Sequence, residues 1–237
     1  RMRIDNAGKV GIGVTPDALL HVKHGGGGFD EIARLTSVAN SAGDGAFLGF
    51  HGNSTSKFYG FIGGYDIDTN KGGVKIGVGN GETAIADSMT ALKIDNDGHV
   101  TMSKQSSVGV NINGSNQDNL ASNVVTLDFD DERFDQNGDF TPGTNTFSAP
   151  VTGKYLVCVN LYMLAIDNAA DYYQLYVETH NKTYYALFDP GVLASDPVYW
   201  TLSWSGVVDM DENDTCLFKL NQSGGTVQTD INNNSYA

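Results

Sequence analysis

Apolar and polar residues alternate along much of this chain with a period of two, the spacing of half-buried strands rather than helices. The pattern is clearest where it occurs twice. The chain opens with RMRIDNAGKVGIG and later reads ALKIDNDGHVTMS, so that Ile4/Ile94, Asp5/Asp95, Asn6/Asn96, Gly8/Gly98 and Val10/Val100 are identical. In both copies alternating apolar positions flank a D-N-x-G turn. Asp suits the first position of a type I turn and Gly the fourth, and a left-handed Gly lets the flanking strands pair as a bulged hairpin. The phrase predicts a β-hairpin, and its recurrence predicts a modular β protein.

Between the two copies the apolar runs are short: AFLGF (46–50), KFYGFI (57–62), VKIGV (74–78) and ALKI (91–94). Gly, Asn, Asp and Ser clusters separate them, which is turn composition. A short helix is the alternative to a strand entry around Asp30–Leu35. Strands this short and Gly-broken bury little surface alone and gain stability when neighbours or identical chains cover them. Residues 104–122 are polar and aromatic-free, and read as a connector. Beyond them the runs lengthen and become aromatic: VVTLDF (124–129), KYLVCVNLYML (154–164), YYQLYVETH (172–180), TYYALF (183–188), VYWTLSWSGVVDM (198–210) and TCLFKLN (215–221). Such strands with turn signals between them predict a β-sandwich. Alternation places Cys216, Phe218 and Leu220 on one face, and Val157, Val159 and Leu161 with Tyr155 on another.

Composition narrows the function classes. The chain has 28 Asp and Glu against 14 Lys and Arg, a net charge of −14. No Lys/Arg cluster exists to track phosphates, so nucleic acid is not an expected partner. No apolar run is long enough to span a membrane as a helix, and no signal peptide is visible. Cys158 and Cys216 fit neither a metal motif nor a disulfide framework, and read as small buried hydrophobes, with a bridge between neighbouring strands as the alternative.

Two stretches resemble known families. VGIGVTPDALLHV (10–22), with RMRIDNAG before it, resembles a phrase common in phage tail-fibre proteins, and GDGAFLGFHGNSTSKFYGFIGGY looks like the body of such a shaft module. In the second half, FTPGTNTFSAPVTGKYLVCVNLYM carries Gly143, Phe147, Ala149, Pro150, Gly153 and Tyr155 in the pattern of the C1q/tumour-necrosis-factor-like jelly roll. LSWSGVVDMDENDTCLFKL is similar to a later hairpin of that family. The family finishes with one more strand, whereas this sequence ends at INNNSYA, so the last strand is expected to be missing.

The resemblances imply an all-β chain of four parts: residues 1–23 as the end of an upstream shaft module, 24–103 as a trimeric Gly-rich shaft module, 104–122 as the connector and 123–237 as a C1q-like jelly-roll head. The sequence then reads as the distal part of a longer fibre polypeptide, beginning mid-protein and stopping early. The implied role is a homotrimeric, extracellular virion tail fibre, joined to upstream tail or baseplate proteins. It would attach to bacterial surface polysaccharide or an outer-membrane protein. The alternatives are a polysaccharide depolymerase tailspike and a non-viral secreted C1q-like adhesin.

Candidate chemistry is sparse. His21, His24, His51, His99 and His180 show no metal spacing, and no G-x-S-x-G or other nucleophile motif occurs, so no catalytic residue is assigned and no enzyme is expected. DFDDERFDQNGD (128–139), DNDG (95–98) and DMDEND (209–214) offer carboxylates, which turn chemistry explains without metal. No cofactor is called for, although some C1q-like trimers hold calcium and the resemblance leaves that ion open. The aromatics of the second half serve mainly core and subunit packing, with one of Tyr172/Tyr173 and one of Tyr184/Tyr185 facing outward. The loops 166–171, 180–183, 189–197 and 221–234 are candidate recognition tips. The candidate receptor-binding residues are Asp167, Asn168, Asp171, Asn181, Tyr184, Tyr185 and Trp200.

Overall fold

Two compact units, Arg1–Met102 and Ser103–Ala237, make up the chain. The computed structural model describes residues 2–16, 18–22, 44–51, 58–68, 71–79, 86–112 and 114–237. The short helix or strand entry at Asp30–Leu35 and His24 lie outside the described residues.

In the first unit the repeated phrase folds twice into the same hairpin. Strands β1 (Met2–Ile4) and β2 (Val10–Ile12) pair antiparallel, and β3 (Leu20–Val22) joins β2 in parallel. Asp5 Oδ1 accepts the N–H groups of Ala7 and Lys9, each at 2.9 Å, while the Gly8 N–H reaches the Asp5 carbonyl at 3.1 Å. In the second copy Asp95 accepts from Asp97 and His99, again at 2.9 Å, and Gly98 closes the same turn. Gly8 and Gly98 have φ of 78° and 85°, the left-handed conformation that favours Gly.

The second copy ends a five-stranded antiparallel sheet in chain order: β4 (Gly45–His51), β5 (Phe58–Asp68), β6 (Lys71–Val78), β7 (Thr90–Ile94) and β8 (Val100–Thr101). One face is closed by aromatic rings lying over glycines. A Cβ on Gly77 would sit 2.1 Å from the Phe61 ring, and one on Gly73 2.5 Å from the Tyr65 ring. Phe61 and Tyr65 are buried, and the buried Lys75 ammonium lies 4.3 Å from the Tyr65 ring centre and 2.5 Å from Asp87 Oδ1. The opposite face carries Leu48, Ile62, Ile76 and Leu92 side by side, because Leu48 pairs Ile62, Ile62 pairs Ile76 and Ile76 pairs Leu92. Leu48, Ile62 and Ile76 are 52%, 41% and 38% exposed.

The second unit is an all-β sandwich. Its strands are β9 (Val108–Asn111), β10 (Val124–Thr126), β11 (Asp131–Asp135), β12 (Phe140–Thr141), β13 (Thr146–Ser148), β14 (Gly153–Leu164), β15 (Tyr172–Thr179), β16 (Thr183–Phe188), β17 (Tyr199–Met210), β18 (Thr215–Ser223) and β19 (Asp230–Ile231). One sheet runs β12-β13-β18-β15-β16, with β10 beside the far end of β18. The other is built on β14 and β17, paired at every position from Gly153↔Met210 to Leu164↔Tyr199, with β19 beside β14 and β11-β9 beyond it. Successive segments cross back and forth between the two sheets, which is the winding of a jelly roll. Leu127, Leu161, Met163, Tyr173, Leu175, Val208 and Met210 are fully buried between them. The edge-on Phe129–Phe218 pair, at 5.4 Å, adds to the same core. Each fully buried side chain of this kind contributes about 1.5–3 kcal/mol.

The structure corrects three expectations here. Residues 104–122 are not merely a connector, since Val108–Asn111 is strand and Val110, Ile112 and Leu120 are in the core. The cause is a short V-G-V-N-I alternation inside an otherwise polar segment. The last strand is not wholly missing: Asp230–Ile231 pairs with β14, and Tyr236 bridges both Asn111 and Asn160. A polar run of Asn residues conceals this strand, which is held by backbone bonds and by one buried side chain, Ile231. Cys158 is exposed on the outer face while Cys216 is buried, and both are free thiols. Alternation with the inward Val157 and Val159 turns Cys158 outward.

Candidate functional site

Because β14 and β15 are joined by residues 165–171, β16 and β17 by 189–198, and β18 and β19 by 224–229, three connections meet at one end of the sandwich. Asp167 ties them together. It is buried, with Oδ1 accepting the Ala169 N–H at 2.7 Å and Oδ2 accepting the Thr226 N–H. The Asp167 N–H donates to the Tyr173 hydroxyl at 3.0 Å, and that hydroxyl meets Thr229 Oγ1 at 2.7 Å. Gly224 and Gly225, at φ of 69° and 72°, let the third connection fold over Asp167. Asp196 bridges from the second connection, accepting from the Asn168 N–H at 2.9 Å and from Gln228 Nε2 at 3.3 Å. Asn168 Nδ2 donates to the Leu193 carbonyl at 3.3 Å, and Asp171 Oδ2 accepts from Ser223 Oγ at 3.1 Å.

The electrostatics follow from these bonds. The Thr226 N–H, then that of Ala169, hold the Asp167 carboxyl below the usual carboxylate range despite its burial. Burial pushes the Tyr173 hydroxyl up, so it stays a neutral donor and acceptor. Asp167 is therefore an ionised acceptor at neutral pH and not a proton donor. The site can order three loops and present amides, hydroxyls and the exposed carboxylates of Asp171 and Asp196 as a fixed hydrogen-bonding surface.

The predicted receptor-binding residues divide into three places. Asp167, Asn168 and Asp171 share this tip, with Asp167 inside it. Asn181 lies at the opposite end of β15, where its Nδ2 donates to Asp214 Oδ2 at 2.7 Å. Trp200 is half-buried and stacked on Phe188 with 4.0 Å between centres, and Tyr184 leans on Trp204 at 5.4 Å. Tyr185 is 51% exposed, edge-on to Tyr176 at 5.0 Å, on the outer face of the β15–β16 pair. Alternation separates the tyrosines: Tyr173 is fully buried, whereas Tyr172 and Tyr185 point outward. Asp196, Gln228 and Thr229 escaped the sequence reading, because nothing local in a loop marks the strand end it will meet. The Gly-Gly at 224–225 was the one available signal.

Elsewhere, Asp95, Asp97 and His99 bring their ligand atoms within 4.8 Å of one another. Asp95 Oδ1 is already engaged in the hairpin turn and Oδ2 lies 3.0 Å from His99 Nδ1, so turn chemistry accounts for the group. In the NG turn, burial raises the Asp135 carboxyl, but the N–H groups of Phe140, Asp139, Asn137 and Gly138 together outweigh it and hold it low. Cys216 is pushed up to about 12 by burial, so its thiol remains protonated and unreactive at neutral pH.

No protein-family model and no curated protein matches the chain. Among solved structures, the globular domain of zebrafish complement 1qA protein is similar at 17% identity and a TM-score of 0.38, over 56% of this chain and 94% of that one. The strand order of the second unit by itself makes it a jelly roll.

Proposed function

We propose that this chain is the structural and receptor-binding part of a homotrimeric phage tail fibre, which attaches a virion to a bacterial surface polysaccharide or outer-membrane protein. The observation that carries the reading is the Leu48–Ile62–Ile76–Leu92 row, an apolar stripe crossing four strands of a thin sheet, in which Leu48, Ile62 and Ile76 are exposed. Copies of the same chain would cover such a stripe and supply the core this sheet lacks. The doubled hairpin phrase and its resemblance to fibre shafts point the same way. The jelly roll would then form the distal head, with its tip loops repeated three times so that weak contacts gain avidity.

Binding of labelled full-length protein to arrays of purified lipopolysaccharides and capsular polysaccharides, and to outer-membrane protein preparations, tests the role. Saturable binding to one of them, weakened by at least about tenfold in a double Asp171→Ala, Tyr185→Ala variant, is expected if these residues contact the receptor. Release of oligosaccharide from a capsule, or no binding to any bacterial surface material, would contradict it.

A further inference from the structure

A third turn of the D-x-x-G spacing joins β11 to β12, and its chemistry differs from that of the two hairpin turns. Asp135 opens it and Gly138 ends it at φ of 76°. The residue before the glycine is Asn137, where the hairpins have Ala7 and Asp97. Asn137 and Gly138 are both exposed, and a Cβ on Gly138 would meet nothing within 4 Å. Asn is a chemically labile residue, most of all before Gly. With no Cβ in the way, the Gly nitrogen can attack the Asn side-chain carbonyl carbon. A C–N bond forms, ammonia leaves, and water then opens the resulting succinimide to Asp or to isoaspartate.

That attack needs the Gly nitrogen to give up its proton. Here the Gly138 N–H donates to Asp135 Oδ1 at 2.9 Å, and the Asn137 N–H donates to the same oxygen at 3.2 Å. In the hairpins the Gly8 and Gly98 N–H groups reach a backbone carbonyl at 3.1 Å. An ionised acceptor binds an N–H more strongly than a carbonyl does, and its charge opposes loss of the proton. Asp135 is ionised at neutral pH, because the N–H groups around it outweigh its burial. Its other oxygen, Oδ2, accepts the Phe140 N–H at 2.8 Å, and Phe140 is buried in the core opposite Phe147. The carboxylate is therefore anchored from the core side. We propose that Asn137 is a latent deamidation site, which Asp135 holds closed by keeping the Gly138 N–H engaged. Opening it would change this corner in two ways. Either product adds a carboxylate between Asp135 and Asp139, where like charges repel. Isoaspartate also routes the backbone through its side chain, lengthening the turn that sets Phe140 opposite Phe147.

The test follows Asp and isoaspartate at position 137 over time, by peptide mapping with mass spectrometry, while the full chain stands in mildly alkaline buffer. A synthetic peptide spanning residues 133–140 gives the unguarded rate. Two variants separate the guard from the fold. Asp135→Asn removes the charge and keeps a side-chain oxygen, whereas Phe140→Leu loosens the same corner and keeps Asp135. The native chain is expected to deamidate at Asn137 at least about tenfold more slowly than the peptide, the scale of a charge-assisted hydrogen bond that must break first. Asp135→Asn is expected to recover most of that factor, and Phe140→Leu to stay near the native rate. Equal rates for the native chain and the peptide would overturn the proposal, as would a native rate retained in Asp135→Asn. Deamidation of Phe140→Leu as fast as that of Asp135→Asn would also overturn it, since loosening alone would then account for the effect.

Discussion

At the residue scale, Asp167 shows how one buried carboxylate can organise a loop surface. Its partners are backbone N–H groups from its own turn and from the turn after β18, and Tyr173 and Thr229 complete the network beneath it. An unsatisfied buried partner costs about 1–3 kcal/mol, so Asp167→Ala is expected to lower stability by about that amount at pH 7. The pH dependence has a definite sign. The folded carboxyl sits below its unfolded value of about 3.9, so its contribution is full above that value and is lost as pH falls through the lower folded value. Urea unfolding of the native chain and of Asp167→Asn at pH 6, 4 and 3 is expected to show the two converging in acid. A constant gap would contradict this role. The sequence placed Asp167 in a loop and marked it as a receptor contact, but it could not show the carboxylate turned inward, because burial there depends on a turn some sixty residues away.

Elements were more legible than their partners. Period-two alternation gave the long strands of the sandwich, β14 to β18, together with β10, and the D-N-x-G phrase gave a hairpin, because both signals are local. The strand at Val108–Asn111 and the final strand at Asp230–Ile231 were hidden, since each is short, lies within a polar segment and pairs with residues outside its own neighbourhood. Cross-strand register is likewise invisible in sequence, yet it is what aligns Leu48, Ile62, Ile76 and Leu92 into one row. Ile76→Lys puts a charge in the middle of that row without touching the buried Phe61–Tyr65 face. In a single chain such an exposed change stays within about 0.5 kcal/mol. If the row is a subunit seam, the same change removes about 1.5–3 kcal/mol of burial per subunit. Sedimentation velocity is expected to show the variant dissociating at concentrations where the native protein stays assembled. Unchanged assembly would move the seam elsewhere.

For the whole molecule, the contrast between the two units carries the account. The jelly roll closes its own core, with fully buried side chains from both sheets. Among the described residues, the first unit covers one face of its sheet with rings laid over glycines and exposes Leu48, Ile62 and Ile76 on the other. The whole chain's net charge of −14 favours solubility and offers nothing to an anionic surface, so attraction to a bacterial envelope would rest on the tip's directional hydrogen bonds. The most direct test of the fibre reading is the mass of the purified full-length chain by sedimentation equilibrium, repeated after chelation with EDTA. The account expects a particle of three chains that survives chelation, and a stable monomer across the concentration range would contradict it.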